Sequence, residues 1–159
     1  ERVEAVLRLL QRRGRPWRRR TRLGEAALDP AEVLVLDSIG DLAGLYARAQ
    51  MAFVGGSLAP VGGHNVLEPA SVGCPVIVGP HVERIGHVLS LLASCGAART
   101  APDAAGLAEC MRVWLNDSEA ALRAGSEGRR VLLAHRGSAE RSASSSTSTR
   151  SDASRPPAA

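Results

Sequence analysis

Short apolar runs that alternate with stretches of helical periodicity constrain the fold of this chain more than any other feature. The runs EVLVL at 32–36, MAFV at 51–54 and PVIV at 75–78 are almost continuously apolar, which is typical of parallel strands buried on both faces. A further segment, AART at 97–100, predicts an edge strand. Because strands that alternate with helices pair in parallel through βαβ units, we predict an α/β fold, a Rossmann-like doubly wound parallel sheet. Helices are predicted around these strands at 1–13, 39–49, 66–72, 85–93, 104–115 and 118–134.

The composition changes near residue 136 and divides the chain into two parts. The chain has 159 residues, of which 45% are hydrophobic, and we place one domain with its own core at 1–136. Residues 137–159 are rich in Ser, Ala and Arg, so we expect a disordered tail. The chain begins at Glu1 and not at Met, which suggests a piece of a longer protein. No apolar run approaches the ~20 residues that a membrane span needs.

Charge and cysteine content narrow the classes of function. The chain has 20 basic and 16 acidic residues, and several arginines cluster at 12–22. Such a cluster could bind nucleic acid or anionic lipid, but only 3% of the residues are aromatic. We therefore favour a solvated helix end and expect no nucleic-acid partner. The three cysteines form no C-x-x-C pair, which argues against disulfide bonds and a zinc site. We expect them to be small core residues of a protein in a reducing compartment.

A glycine-rich stretch, GGSLAPVGGHNVLEPASVG at 55–73, follows the strand predicted at 51–54. In open parallel sheets, ligands bind at the carboxyl ends of strands. The two glycine pairs let backbone N–H groups approach a ligand, and the second pair directly precedes a predicted helix, whose N-terminus would favour a phosphate. The stretch lacks the P-loop ending and the dinucleotide fingerprint. The residues alone therefore predict only an anionic or phosphorylated ligand.

Polar side chains in and after this stretch allow both structural and functional interpretations. Asn65 and Glu68 fit a capping box at the start of a helix, but Glu68 could equally bind sugar hydroxyls. His64 could be simply exposed, or it could donate to a phosphate or transfer a proton. His81 follows the next strand at the same sheet edge, but no third ligand has a spacing that suits zinc. Ser57 has no hydrolase nucleophile elbow around it.

Taken together, these residues resemble the C-terminal domain of 3-deoxy-D-manno-octulosonic acid (Kdo) transferases, the glycosyltransferases of lipid A biosynthesis. The segment LYARAQMAFVGGSLAPVGGHNVLEPASVGCPVIVGPH at 45–81 carries F-V-G-G-S-L, G-G-H-N, E-P-A, G-x-P-V and G-P-H in the order and spacing of that family. The resemblance extends from residue 1 to about 136. It implies the C-terminal half of a GT-B glycosyltransferase, in which two Rossmann-like domains face each other across a cleft and the C-terminal one binds the sugar nucleotide CMP-Kdo.

The resemblance also implies which residues bind the donor. The implied contacts are Gly55, Gly56 and Ser57 along the donor cleft, Gly62, Gly63, His64 and Asn65 near the phosphate and the Kdo carboxylate, Glu68 on the ribose hydroxyls, and Pro80 and His81 beside the nucleotide. The family usually continues after G-P-H with an Asn-aromatic pair, where this chain has Arg84 and Ile85. The catalytic residues are unknown, because the resemblance places the base in an N-terminal domain that this chain lacks.

The function implied by the resemblance is transfer of Kdo from CMP-Kdo to a lipid A precursor, lipid IVA, in lipopolysaccharide core biosynthesis. We expect no metal and no cofactor besides this donor substrate. The N-terminal domain would bind the lipid acceptor, and the full enzyme would associate with the cytoplasmic face of the bacterial inner membrane, whereas this chain alone is expected to be soluble and inactive. Two alternatives stay open: a stand-alone or decayed nucleotide-binding module without catalysis, and a GT-B enzyme that uses a UDP-sugar.

Overall fold

The structure, a computed structural model, describes residues 2–24, 27–60, 62, 65–83 and 85–147, with side chains up to residue 136. The chain forms two compact units, Glu1–Leu45 and Tyr46–Ala159. The domain predicted at 1–136 spans both units and stays a prediction. The two units are described separately.

The first unit contains a short parallel sheet and the whole arginine cluster at 12–22. Its elements are helix α1 (Arg2–Arg12), strand β1 (Trp17–Arg19), a 3₁₀ helix (Arg20–Arg22), strand β2 (Val33–Val35) and the start of helix α2 (Leu42–Tyr46). The strands β1 and β2 pair in parallel. Three neighbouring arginines form ion pairs with acidic side chains. Arg18 lies 2.9 Å from Glu32, Arg19 lies 2.5 Å from Glu4, and Arg20 lies 3.4 Å from Asp41.

The second unit contains a three-stranded sheet with helices between its strands. Its elements are β3 (Ala52–Phe53), α3 (Leu67–Ser71), β4 (Val76–Val78), α4 (Gly86–Ser94), β5 (Ala98–Thr100), α5 (Ala104–Asn116) and α6 (Ser118–Thr147). All three strands run parallel in the order β3-β4-β5. The central strand β4 therefore has a neighbour on each side, and the carboxyl ends of all three strands lie at one edge.

The core of this unit is built on both faces of β4, all of whose residues are fully buried. Val76 and Val78 belong to a cluster that includes Leu92 of α4 and Leu132 of α6. Ile77 points to the opposite face and packs in a second cluster with Trp114 of α5, because successive side chains of a strand alternate between faces. The continuous apolar run PVIV thus marks a strand covered on both sides, as the sequence predicted.

The predicted α/β fold with parallel strands is confirmed, and its details differ in two places. The described strands form two parallel sheets, β1-β2 and β3-β4-β5, because β2 pairs only with β1 and β3 only with β4. The helix predicted at 39–49 is shorter and begins at Leu42, since Gly40 has a φ of 97° that is incompatible with a right-handed helix.

The end of the chain differs from the expected boundary as well. The disordered tail predicted at 137–159 would begin inside α6, which extends to Thr147. Serine is the most frequent residue at 137–147 and has only an intermediate helix propensity, so a composition that cannot form a core still continues a helix here. Residues 148–159 lie outside the described residues. Among the described helices, none combines the length and the apolar character required to cross a membrane.

Helix α6 packs closely, through two glycines, against the turns that lead into β4 and β5. A Cβ atom added at Gly125 would lie 1.8 Å from the backbone oxygen of Gly73, and one at Gly128 would lie 2.5 Å from the Cβ of Ala97. Neither position can hold a side chain unless the backbone moves. The absence of side chains at these two positions sets how near α6 lies to the sheet.

The three cysteines are free thiols, and we expect them to differ in reactivity. Burial raises the pKa of the Cys74 thiol to about 11, and alkylation requires the thiolate. At pH 8, about one Cys74 in a thousand would be ionised, so iodoacetamide should modify partly buried Cys95 and Cys110 first. Peptide mass spectrometry after timed quenching measures the order. In urea the three rates should converge, and equal rates in the folded chain would contradict the prediction.

Candidate functional site

Two loops that the sequence analysis singled out meet at the carboxyl edge of the three-stranded sheet. Gly55, Gly56 and Ser57 follow β3, and the segment 79–81 follows β4. The backbone N–H of His81 donates a hydrogen bond to the carbonyl oxygen of Ser57, with N and O 3.0 Å apart. The structure thus brings these loops into direct contact, at the position where parallel sheets bind ligands.

Ser57 lies inside this contact and not on its surface. Its side chain is completely buried, with 0% of the residue exposed. The hydroxyl donates to the carbonyl oxygen of Val54 at 2.5 Å and accepts from the backbone N–H of Gly79 at 2.8 Å. The side chain that was expected to line a donor cleft is therefore engaged by the backbone of both loops.

Gly79 is a residue of this site that the sequence analysis missed. A Cβ atom there would lie 2.2 Å from the carbonyl oxygen of Ser57 and 2.6 Å from the backbone nitrogen of Leu58. Only glycine allows the two loops to approach this closely. The available signal was its position directly after the apolar run PVIV, where a glycine often marks a close approach of two backbones.

The described glycines of the loop after β3 differ in backbone conformation. Gly56 and Gly62 have φ angles of 79° and 81°, in the region that glycine enters at no steric cost. Gly55 does not have a positive φ, and the space beside its Cα is open. Gly63 and His64, both predicted to approach the ligand, lie outside the described residues.

Asn65 and Glu68 do not form the capping box that their spacing allows. The Oδ1 atom of Asn65 accepts from the N–H of Leu67, two residues on, at 2.9 Å, which is an Asx turn. Val66 occupies the N-cap position. Among the described residues, the Glu68 carboxylate accepts a hydrogen bond from the side-chain amide of Asn65 alone, at 3.4 Å, and Glu68 is exposed. The Glu68 carboxylate therefore remains accessible to a ligand.

Helix α3 itself has only five residues, which changes the basis for anion binding. A helix macrodipole grows from aligned peptide units, so one turn of helix supplies little of it. Any anion bound here would therefore depend more on the backbone N–H groups of the glycine-rich loop than on the dipole of α3.

The half-buried Tyr46 is a second residue that the sequence analysis missed. Burial raises the pKa of its hydroxyl, and the negative charge of Glu68 raises it further. The phenol is therefore neutral near pH 7 and lies within electrostatic range of the Glu68 carboxylate. In the sequence, Tyr46 was marked only by its place among the inward-facing positions of the helix predicted at 39–49.

Asn65 and Glu68 also line a groove of about 380 Å³ against helices α4 and α6. Its apolar floor includes Val88, Leu91 and Leu132. Its rim carries four basic side chains, His87, Arg129, His135 and Arg136. The rings of His87 and His135 stand 5.6 Å apart. A groove with an apolar floor and a basic rim suits an anionic ligand that also has an apolar face. These helix residues carried no local signal, because tertiary packing alone brings them to Glu68.

The remaining predicted residues lie on the loop after β4. Pro80 is exposed and His81 partly exposed, and the Nδ1 atom of His81 lies 3.8 Å from the Glu83 carboxylate. Arg84, at the departure from the family pattern, lies outside the described residues. Within the part of the chain that the structure describes, no three His, Cys, Asp or Glu side chains are grouped in a way that could hold a metal ion.

The relatives compared with this chain carry the same description. No protein-family model matches the chain. Over 142 residues it is 34% identical to a 3-deoxy-D-manno-octulosonic acid transferase of Haemophilus influenzae, an alignment that covers 89% of this chain and 33% of that protein. Over 73 residues it is 44% identical to the transferase of the same description from Bordetella pertussis, covering 46% of this chain and 17% of that protein. The chain thus spans at most about a third of these relatives.

A solved structure with a similar fold extends the comparison. It is the crystal structure of the C-terminal CMP-Kdo binding domain of WaaA from Acinetobacter baumannii. The TM-score is 0.72 and the sequence identity 30%, and the match covers 82% of this chain and 68% of that domain. Sequence and fold therefore point to the same group of proteins.

Proposed function

Because the chain belongs to the family of 3-deoxy-D-manno-octulosonic acid transferases, we propose that it forms the part of such an enzyme that binds the donor, CMP-Kdo. The observation that carries this proposal is the contact between two loops at the carboxyl edge of a parallel sheet, with an accessible carboxylate, that of Glu68, at the end of the first loop. Such an arrangement suits a ligand that has both an anionic group and hydroxyl groups.

The chemistry of the donor fits the residues of this site. CMP-Kdo carries a phosphate, ribose hydroxyls and a sugar carboxylate. The N–H groups of the loop that contains Gly56 and Gly62 would bind the anionic groups, and the Glu68 carboxylate would accept hydrogen bonds from the ribose hydroxyls. Arg129 and Arg136 on the groove rim would offset the negative charge of the ligand. Pro80 and His81 would border the nucleotide.

For the whole enzyme, we infer transfer of Kdo from CMP-Kdo to a hydroxyl of a lipid A precursor, lipid IVA, in lipopolysaccharide biosynthesis, with CMP as the leaving group. A GT-B arrangement would place the acceptor and the catalytic base on a second Rossmann-like domain. Such an enzyme would act at the cytoplasmic face of the inner membrane. The proposal includes neither a metal ion nor a cofactor, and it assigns no catalytic base to this chain.

Glu68→Gln should weaken the binding of CMP by about tenfold or more, because a charged hydrogen bond contributes about 1.5–3 kcal/mol. Nuclear magnetic resonance titration of the chain with CMP measures the affinity. If Glu68 binds the ribose, 2′-deoxy-CMP should bind the unaltered chain more weakly than CMP does, and Glu68→Gln should reduce that difference.

The matched control is Glu109→Gln, which changes an exposed glutamate on α5 and should leave the affinity for CMP unchanged. If the unaltered chain shows no response to CMP around residues 55–68, the proposed function is wrong. Tighter binding of UMP than of CMP would indicate a uridine-linked donor instead.

A further inference from the structure

The hydrogen-bond ladder between β3 and β4 is interrupted at its carboxyl end by a side chain. The ladder is regular at its start: Ala52 N–H donates to the Pro75 carbonyl, and Val54 N–H donates to the Ile77 carbonyl, both at 2.9 Å. In a parallel ladder each residue of one strand bonds to residues on either side of its partner. Given the register Ala52↔Val76, the next bond would run from the Gly79 N–H to the Val54 carbonyl.

The Ser57 hydroxyl occupies the place of that bond. Gly79 N–H donates to Oγ of Ser57 at 2.8 Å, and the same Oγ donates to the Val54 carbonyl at 2.5 Å. Two hydrogen bonds in series therefore replace one direct bond. The Oγ atom of Ser57 therefore stands between the Gly79 N–H and the Val54 carbonyl, at the point where the two loops begin.

Two backbone contacts hold the loops at this separation. The Ser57 carbonyl accepts from the His81 N–H at 3.0 Å. The same carbonyl fills the space beside Gly79 where a Cβ atom would stand. Ser57 and Gly79 are both buried, so water cannot readily substitute for the hydroxyl.

We propose that Ser57 is a positioning residue: its inserted hydroxyl sets the spacing between the loop of Gly55 and Gly56 and the loop of Pro80 and His81, and the donor binds across the two loops at that spacing. The proposal rests on the donor-binding function proposed above. It differs from the expectation that Ser57 lines the cleft, because the buried side chain acts through the two loops and does not touch the donor.

Removing the hydroxyl has two structural outcomes, and both change the loops. In Ser57→Ala, the Val54 carbonyl and the Gly79 N–H either lose their partner or bond directly to each other. The first outcome leaves two buried backbone groups unsatisfied, and the second draws the loops together. Either one changes the environment of the Gly79 amide and the spacing of the loops that would bind the donor.

The test combines amide hydrogen exchange with CMP titration of the whole chain. Ser57→Ala should change the exchange rate and the chemical shift of the Gly79 and His81 amides. It should also lower the affinity for CMP about fivefold, because the binding-competent loop spacing would be populated only part of the time. Ser57→Thr, which keeps the hydroxyl, should retain more of the affinity. Ser90→Ala removes an exposed serine hydroxyl of α4 that donates to the carbonyl of Gly86 and should change neither measurement.

A destabilised control separates positioning from general loss of structure. Ile77→Val removes one methyl group from the core on β4 and should lower the melting temperature while leaving the affinity for CMP unchanged. An affinity loss in Ser57→Ala no larger than that in Ile77→Val overturns the proposal, and so do unchanged Gly79 and His81 amides. If the unaltered chain binds no CMP, the donor-binding function fails as well, whereas an altered Gly79 amide in Ser57→Ala would still show that the hydroxyl spaces the loops.

Discussion

Gly125→Ala is expected to lower the melting temperature of the chain by roughly 10 °C, from a loss of about 3 kcal/mol in the free energy of unfolding. The added Cβ would lie 1.8 Å from the backbone oxygen of Gly73 and 3.0 Å from Cδ of Pro75. A backbone oxygen cannot rotate away as the end of a long side chain can. Helix α6 must therefore move outward from the sheet, which would loosen the contacts of buried Leu132. Thermal unfolding followed by circular dichroism measures the effect.

Gly86→Ala provides the control for this substitution. Gly86 begins α4, its φ is not positive, and nothing lies within 4 Å of an added Cβ. Alanine there should leave the melting temperature unchanged or raise it slightly, since it reduces the freedom of the unfolded chain. Equal melting temperatures for Gly125→Ala and the unaltered chain would contradict the close packing of α6 against the backbone of Gly73.

Trp114→Ala is expected to lower the free energy of unfolding by about 3–5 kcal/mol. Trp114 is 2% exposed and is the largest fully buried side chain. It packs with Ile77 of β4 and Ala121 of α6, and the guanidinium of Arg99 lies 5.1 Å from its ring centre. The substitution therefore opens a large cavity between α5 and the sheet. Urea unfolding followed at 222 nm measures the change without depending on tryptophan fluorescence.

The neighbouring residue offers a matched control. Leu115 lies on the same helix and is 60% exposed, so Leu115→Ala should change the free energy of unfolding by no more than about 0.5 kcal/mol. The difference between the two variants isolates burial, because helix and chain position are nearly the same. Similar losses in both would contradict the packing of α5 against the sheet.

Element type could be predicted from the sequence where the apolar pattern is strong. The run at 75–78 became the fully buried strand β4, and the periodic segment at 104–115 became α5, which ends at Asn116. Strand pairing was harder to predict. The strands have only two or three residues, so their sequences carry little information about which strand each one pairs with. The extension of α6 to Thr147 was missed because composition describes core formation better than helix formation.

In the candidate site too, features set by neighbouring residues could be predicted, whereas features set by residues distant in sequence could not. Local backbone features such as the positive φ of Gly56 and Gly62 follow from the glycines themselves. The buried hydrogen bond of Ser57 with Gly79 could not be predicted, because the two residues lie 22 positions apart in sequence. The Asx turn of Asn65 shares its residue types with a capping box, and only the three-dimensional geometry distinguishes the two. The basic groove rim depends on α6, which returns to α3 only in the folded chain.

Helix α6 also bears on how the second unit unfolds. It contacts α3, α4 and α5, and it contributes Leu132 to the core cluster on one side of the sheet and Ala121 to the cluster on the other. Neither cluster can lose this helix without uncovering the other. We therefore expect the two faces of the sheet to unfold in a single cooperative transition, in which the opening free energies of β4 and α5 amides approach the same global value.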